Sequence, residues 1–408
     1  MEDWKEYKAI DFCKNVTDGT HDSPKPQSEG YYLVTSKHIK GSTIDFNSAY
    51  KISEEDYNKI IQRSKVDQWD VIISMIGAYC GFCYLEKSTK TDYAIKNVGL
   101  FKVGSETRSK WLYYYLLSPA GQNSLHLLRS GSSQPYISLN SLRNFTIPVP
   151  DDETMRSIVS VLQSLDDKID CNRRINEILE QQAQALFKSW FVDFEPFKDK
   201  PFVESELGMI PQGWRVGCLD DVCCFISRGL TPKYDESSDE LVLGQTCVRN
   251  NIVTLNNARR HRPKSKTEKW VQQWDVLLNS TGIGSLGRVG VVYFKMDNVA
   301  IDSHITVVRT SKPLYKHYVG RNLLSRQLEI ENMAVGSTGQ TELPRDRVKS
   351  LPIIIPSGDV LGKFNDIIEP IALQMYRNID ESRRLAELRD TLLPRLMSGE
   401  IDVNEVCL

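Results

Sequence analysis

The sequence predicts an α/β (α+β) chain of two β-rich mixed domains separated by two long, coiled-coil-like helices, its second half repeating its first. Three observations predict this. First, Gln68-Trp69-Asp70-Val71 returns as Gln273-Trp274-Asp275-Val276, displaced by 205 residues. Other matches follow in the same order at displacements of 205 to 210. Gly131-Ser132-Ser133-Gln134 answers Gly336-Ser337-Thr338-Gly339-Gln340 with one insertion. Phe145-Thr146-Ile147-Pro148-Val149-Pro150 answers Leu351-Pro352-Ile353-Ile354-Ile355-Pro356. Trp4, Asp11 and Cys13 answer Trp214, Asp221 and Cys223. A four-residue match that includes Trp, within an ordered series, marks duplication. Second, short runs rich in Val, Ile, Phe and Tyr, punctuated by Gly, Ser and Asn, fill a long block in each half, as in VIISMIG, VGLFKV, DVLLNS and HITVVR. That is the signature of strands and turns. Third, each block ends at a proline and gives way to a helical stretch with a seam.

The seam runs Ile158, Leu162, Leu165, Ile169, Asn172, Asn176, Leu179, Ala183, Leu186, Trp190. Its spacing alternates four and three, a heptad pattern. Adding 206 gives Phe364, Ile368, Ile371, Met375, Asn378, Ser382, Leu385, Arg389, Leu392, Leu396, with Arg389 the main break. A helix from Thr154 to Phe191 would extend about 57 Å at ~1.5 Å per residue. Such helices need a partner for their stripes, and the nearest partner is each other. Asn172 and Asn378 are expected to set register, as polar residues in such seams do. Pro394 is expected to kink or stop the second helix. The chain therefore divides into domains at 1–150 and 202–356, each followed by a helical spacer at 151–195 and 357–408.

Composition narrows the function classes. With 408 residues, 40% hydrophobic and 25% charged, the chain has the profile of a globular protein, not a disordered or collagen-like one. The longest nearly apolar run, residues 71–85, is interrupted by Ser74, Gly77 and Gly81 and is too short to span a bilayer. The first residues, MEDWKEYK, lack the apolar segment of a secretory signal, so a cytoplasmic protein without a membrane partner is expected. Nine scattered cysteines fit free thiols. Cys80-Gly-Phe-Cys83 lacks the second pair that a structural zinc site needs, so no metal site is assigned. The net charge of −2 conceals an alternation. The two long blocks carry +2 and +4 and the stretches 151–201 and 357–408 carry −4 each, so a polyanion would meet the blocks.

Catalytic motifs are missing. Gly282-Ile283-Gly284-Ser285-Leu286-Gly287 matches the dinucleotide pattern, but a strand-like run follows it where a helix is required, so it is expected to be a turn between strands. The sequence has no Walker-type loop, no amino-methyltransferase NPP[FY] motif and no HExxH. No catalytic residue is assigned.

What remains is basic and polar. The densest cluster contains Arg259, Arg260, Arg262, Lys264 and Lys266. Arginine forks suit phosphate and guanine edges. The first half offers Thr20, His21 and Lys25 in DGTHDSPK, with Lys37 and Lys40 farther on; RGLTPK answers in the second half with Lys233. Gln134, with Tyr136 beside it, and Gln340 lie in the repeated Gly-Ser loops, where an amide could meet adenine. Each of these is also a plausible solvated turn. The aromatics Trp190, Phe191 and Phe194 crowd one helix end. They are expected to form an assembly contact, with packing on this chain's own domains as the alternative.

Together, DGTHDSPK at 18–25, the QWDV pair, NRRINEILEQQAQALFKSWFVDFEPF at 172–197, PQGW at 211–214 and LAELRDTLLPRLMSGEIDV at 385–403 resemble the specificity subunits of type I restriction–modification systems. The resemblance covers nearly the whole chain. It implies that each β-rich block is a target recognition domain reading one half of a bipartite double-stranded DNA target. It implies that the two long helices pack antiparallel and hold the domains at fixed spacing. The partners it implies are two methyltransferase (modification) subunits and two restriction (translocase/nuclease) subunits. S-adenosylmethionine, ATP and Mg would be held by those partners, with no cofactor on this chain. Base-contacting residues do not transfer, because recognition domains vary. A fused methyltransferase–nuclease partner, or a non-enzymatic DNA-binding regulator, remains open as an alternative.

Overall fold

The computed structural model describes residues 4–41, 43–131, 134–263, 269–336, 341–403 and 406. The chain forms two compact units, one of residues 1–170 with 382–408, the other of residues 171–381. Among the described residues no helix is long and apolar enough to cross a membrane.

In the first unit a four-stranded antiparallel sheet runs in the order Asn15–Asp18, Val98–Lys102, Val71–Ser74, Cys83–Leu85. A three-stranded sheet sets Tyr31–Thr35 between Lys51–Ile52 and Tyr93–Lys96, parallel to the latter. A short ladder pairs Lys5–Lys8 with Thr146–Val149. The helix Glu54–Ser64 begins where Ser53 accepts from Asp56 N, with three acidic residues in its first turn, as an N-terminus favours. The helix Glu106–Leu117 packs its Trp111, Leu112 and Leu116 into the unit's core.

The second unit repeats this plan. Its larger sheet runs Cys223–Arg228, Ile305–Thr310, Val276–Asn279, Val289–Val291, Asn251–Val253, Val248–Arg249. Its smaller one places Leu241–Leu243 between Arg259–Arg260 and Val299–Ile301. Arg215–Cys218 pairs with Pro352–Ile355 as Lys5–Lys8 does with Thr146–Val149. The dinucleotide-like glycines 282–287 sit between two antiparallel strands. Gly282, Gly284 and Gly287 all have positive φ there, so the pattern is a turn.

The seams form two 40-residue helices, Asp152–Phe191 and Gly358–Met397. Each helix contributes to both units. In the first unit Ile158, Leu162 and Leu165 share a core with Leu392, Leu393 and Leu396. There Arg389, the break in the seam, lies 2.8 Å from Asp166, which also accepts from Tyr114 Oη. In the second unit Ala183 and Phe187 share a core with Phe364, Ile368 and Met375. Asn172 and Asn378 are buried in this unit, 1% and 4% exposed. Asn172 Nδ2 donates to Glu381 Oε2, Asn378 Nδ2 to Asn176 Oδ1 and Gln374 Nε2 to Asn378 Oδ1, each at 2.8 Å. Within this unit residue 176 meets 375 and residue 187 meets 364, so the two segments run antiparallel.

Two expectations are corrected. Pro394 does not itself stop the second helix, which continues through it and ends at Met397, within one turn. Only the single bond that the missing N–H would make is lost so close to the helix end. Trp190, Phe191 and Phe194 are not an exposed patch. Phe191 is 5% exposed and meets Phe364 and Tyr318 at ring distances of 4.8 and 4.9 Å. Trp190 packs on Phe364, and Phe194 on Phe202 and Trp214. The apolar area of these rings closes the second unit's own core, the alternative allowed above, so the exposure on which an assembly contact was argued is absent. The thiols of Cys80 and Cys83 are buried and donate to Met75 O and Gly81 O. Burial pushes both up from the ordinary range, which keeps them protonated.

Candidate nucleic-acid interface

Strand Asn15–Asp18 leaves the four-stranded sheet at its last residue and passes to the edge of the three-stranded sheet. Gly19 makes the passage. Its N–H donates to Val98 O at 2.9 Å, and Thr20 N donates to Ile95 O at 3.0 Å. A Cβ on Gly19 would lie 2.3 Å from Ile95 O, so only glycine fits. The second unit repeats the crossing. Gly229 N donates to Ile305 O and Leu230 N to Ile301 O, and a Cβ on Gly229 would lie 2.0 Å from Ile301 O. DGTHDSPK and RGLTPK are therefore alike because the same backbone crossing builds both.

Beyond the crossing, the first unit assembles a polar rim. Buried Asp18 accepts from His21 Nε2 at 3.1 Å and from Arg63 Nη2. The other ring nitrogen of His21 lies 2.9 Å from Asn97 Oδ1. Asn97 occupies the turn between the strands Tyr93–Lys96 and Val98–Lys102 with φ 55°, a conformation asparagine tolerates. Its carbonyl accepts from Ser36 Oγ at 3.1 Å, which joins the segment carrying Lys37 and Lys40. Beneath that segment His38 is fully buried; burial and the Lys37 charge hold its imidazole below the usual histidine range. Lys40 Nζ sits 4.0 Å over the Tyr79 ring, which meets Phe82 edge-on. Gly77 N then donates to Pro135 O at 2.8 Å, seating the loop of Gln134 and Tyr136. Tyr136 is 46% exposed. The structure thus joins the segments of Thr20, His21, Lys40 and Tyr136 through one series of contacts, and Lys37 and Gln134 lie in the same segments. Lys25 lies farther along, exposed, before Gln27 pairs with Lys51.

The second unit builds its rim on the same loops with other side chains. Thr281 and Val335 both bridge to Glu342, as Ile76 and Ser130 bridge to Tyr136. Gln245 Nε2 donates to Thr281 Oγ1 at 3.2 Å, and Arg228 Nη2 to Glu342 Oε1 at 2.8 Å. The basic cluster flanks this rim and is partly matched by its own acids. Arg259 stacks its guanidinium 3.4 Å from the Tyr234 ring centre. Arg260 meets Ser238 O and Asp239, and Arg262 meets Asp235. Arg262 N donates to Lys233 O at 2.8 Å, which brings Lys233 to the cluster. Exposed pairs of this kind contribute only about 0–1 kcal/mol, so phosphates can replace those carboxylates. Lys264, Lys266 and Gln340 lie outside the described residues.

Several rim residues went unrecognised in the sequence: Asn97, Tyr79, Phe82, Gln245 and Ile283, the last 90% exposed. The displacement of 205 was the available signal. It superposes the loop after Ser74 on the loop after Asn279, and both present a large apolar side chain to solvent.

Comparison with known proteins agrees with this architecture. Residues 1–181 match the family model described as the type I restriction modification DNA specificity domain. The type I restriction enzyme MjaIX specificity subunit of Methanocaldococcus jannaschii is 31% identical over 73% of this chain and 70% of that one. The HindI specificity subunit of Haemophilus influenzae is 25% identical over 98% of this chain and all of its own. The crystal structure of the type I restriction–modification S subunit from M. genitalium shares the fold, with a TM-score of 0.58 over 97% of this chain and 96% of that one, at 15% identity.

Proposed function

This chain belongs to the family of type I restriction enzyme specificity subunits, and on that premise we propose that its two units read the two halves of one split duplex DNA target. One observation carries this reading. The same glycine crossing and the same loops recur in both units, yet the side chains they present differ. A shared scaffold with unlike rims suits two unlike half-sites, and one chain then supplies the twofold arrangement that DNA-reading dimers obtain by pairing. His21, Lys40 and Tyr136 face one half-site. Lys233 and Arg259 to Arg262 face the other, with arginine and lysine on phosphates and base edges. The paired helices act as the ruler that sets half-site spacing.

The chain itself contributes recognition and assembly, not chemistry. Methyl transfer from S-adenosylmethionine, at adenine N6, falls to two methyltransferase subunits. ATP- and Mg-dependent cleavage falls to two restriction subunits. The complex works in the cytoplasm, where the DNA lies. Methylome sequencing of the host with and without the gene tests this. Loss of a single bipartite motif on deletion is the expected result, and the purified chain alone should transfer no labelled methyl group to DNA. An unchanged methylome in a host that retains the methyltransferase genes, or transfer by the chain alone, would overturn the reading.

A further inference from the structure

The repeated Gln-Trp-Asp-Val has a job that the DNA-facing rim does not use. Trp69 and Trp274 both hold left-handed backbone, φ 69° and 74°. For a bulky side chain this conformation is strained and persists only where the surroundings enforce it. Here they do. Asp70 Oδ2 accepts from Asp67 N at 2.8 Å and meets Lys102 at 2.6 Å. Asp275 Oδ2 accepts from Gln272 N at 2.7 Å and meets Arg309 at 2.7 Å. Trp69 N donates to Glu86 O and Trp274 N to Val292 O, both at 2.7 Å.

The enforced turn delivers an indole to a lysine on the next helix. Lys110 Nζ lies 4.4 Å from the Trp69 ring centre, and Lys316 Nζ 4.9 Å from that of Trp274. Each lysine then reaches a long helix. Lys110 Nζ donates to Gln163 Oε1 at 2.9 Å, and Lys316 Nζ lies 2.5 Å from Glu369 Oε2. The tryptophan is related to its counterpart by a displacement of 205, and the lysine and its partner on the long helix by 206. In the second unit His317 adds a further contact: its ring is edge-on to Trp274 at 4.8 Å and its Nε2 donates to Glu369 at 2.8 Å. Its counterpart Trp111 donates instead to Pro148 O.

We propose that this relay from strained tryptophan through lysine to the long helix fixes the angle at which each recognition domain sits on its own helix, and so restricts the subunit to one half-site spacing. These are positioning residues and touch no DNA. A plain surface ion pair would not need an indole held in left-handed backbone, and Lys110 is not at the surface, its side chain being 6% exposed. Successive base pairs are about 3.4 Å and ~35° apart. A domain freed to rock on its helix would therefore accept neighbouring spacings.

The inference rests on the DNA-reading function proposed above, and the test separates the two. Lys316→Met and, separately, Glu369→Met, which removes the acceptor, are introduced into the full chain, expressed with its methyltransferase partners, and the methylome is sequenced. Both half-site sequences should stay unchanged, while methylation at sites with a spacer one base pair longer or shorter should rise at least tenfold. Should Lys316→Met fail to fold, Glu369→Met, which keeps the lysine stem on Trp274, carries the test. A single unaltered spacer in the folded variants overturns the proposal, and so does a uniform fall in methylation at every site, which marks a merely structural role. If the unmodified chain directs no bipartite motif, the DNA-reading function itself fails, whatever the variants do.

Discussion

Replacing residues 202–356 with the recognition block of another specificity subunit changes one half of the methylated motif and leaves the other half intact. The reason lies in how each rim is built. Every contact that joins His21, Asn97, Lys40 and Tyr136 is made within the first unit, and none depends on residues 202–356. The effect should be large. A mismatched base pair costs about 1–3 kcal/mol, so three altered positions separate the old and new targets by roughly a hundredfold or more. The graft must keep the aromatic floor, because Phe187 and Phe191 on the first long helix pack against Tyr318 of the exchanged block. Motif analysis of the exchanged strain decides the matter. Change in both half-sites would show that the domains do not read independently.

Arg321→Ala should unfold the second unit about 10 °C early while the first unit melts as before. Arg321 is buried, with Nη1 2.5 Å from Glu180 Oε2 and Nη2 donating to Tyr293 Oη at 2.8 Å. Glu180 lies on the first long helix and also accepts from Asn251 Nδ2. Removing the guanidinium leaves a largely buried carboxylate and a buried phenol short of partners. Breaking one side of such a pair costs about 3–5 kcal/mol. In a unit of this size each kcal/mol shifts Tm by roughly 2–4 °C. Calorimetry of the purified chain checks it. A loss under about 1 kcal/mol, at the low end for point substitutions, would mean that the network contributes little, and a parallel fall in both transitions would mean that the units do not melt separately.

The duplication was legible because both copies solve the same backbone problems. The tryptophan of each QWDV sits in the same strained turn, and Gly19 and Gly229 pass the same carbonyl row. The long helices were legible from their period. Period shows that a stripe needs a partner, but not that residues 152–170 and 171–191 of one helix serve different cores. Arg389 read as a flaw in the seam because its carboxylate, Asp166, lies 223 residues away. The aromatic helix end was misread for a similar reason: nothing near residue 194 announces Trp214 or Phe364 as its cover. The rim was legible only in pieces. His21, Ser36 and Tyr136 come from distant segments, and Asn97, the residue that joins the first two, carries no motif.

The division of the chain also sets an order of assembly during synthesis. The second unit is one uninterrupted stretch, residues 171–381, whereas the first unit is finished only by residues 382–408. Leu392, Leu393, Leu396, Met397 and Val403 belong to the first unit's core, so the domain that leaves the ribosome first waits longest for its last wall. Until then the core that holds Ile158, Leu162 and Leu165 lacks those five residues, a state prone to misassembly in long chains. Nascent chains arrested once residue 381 has emerged should therefore resist protease across residues 202–356 while remaining open to cutting within 1–170. Equal protection of both regions would mean that the first unit closes without its C-terminal wall.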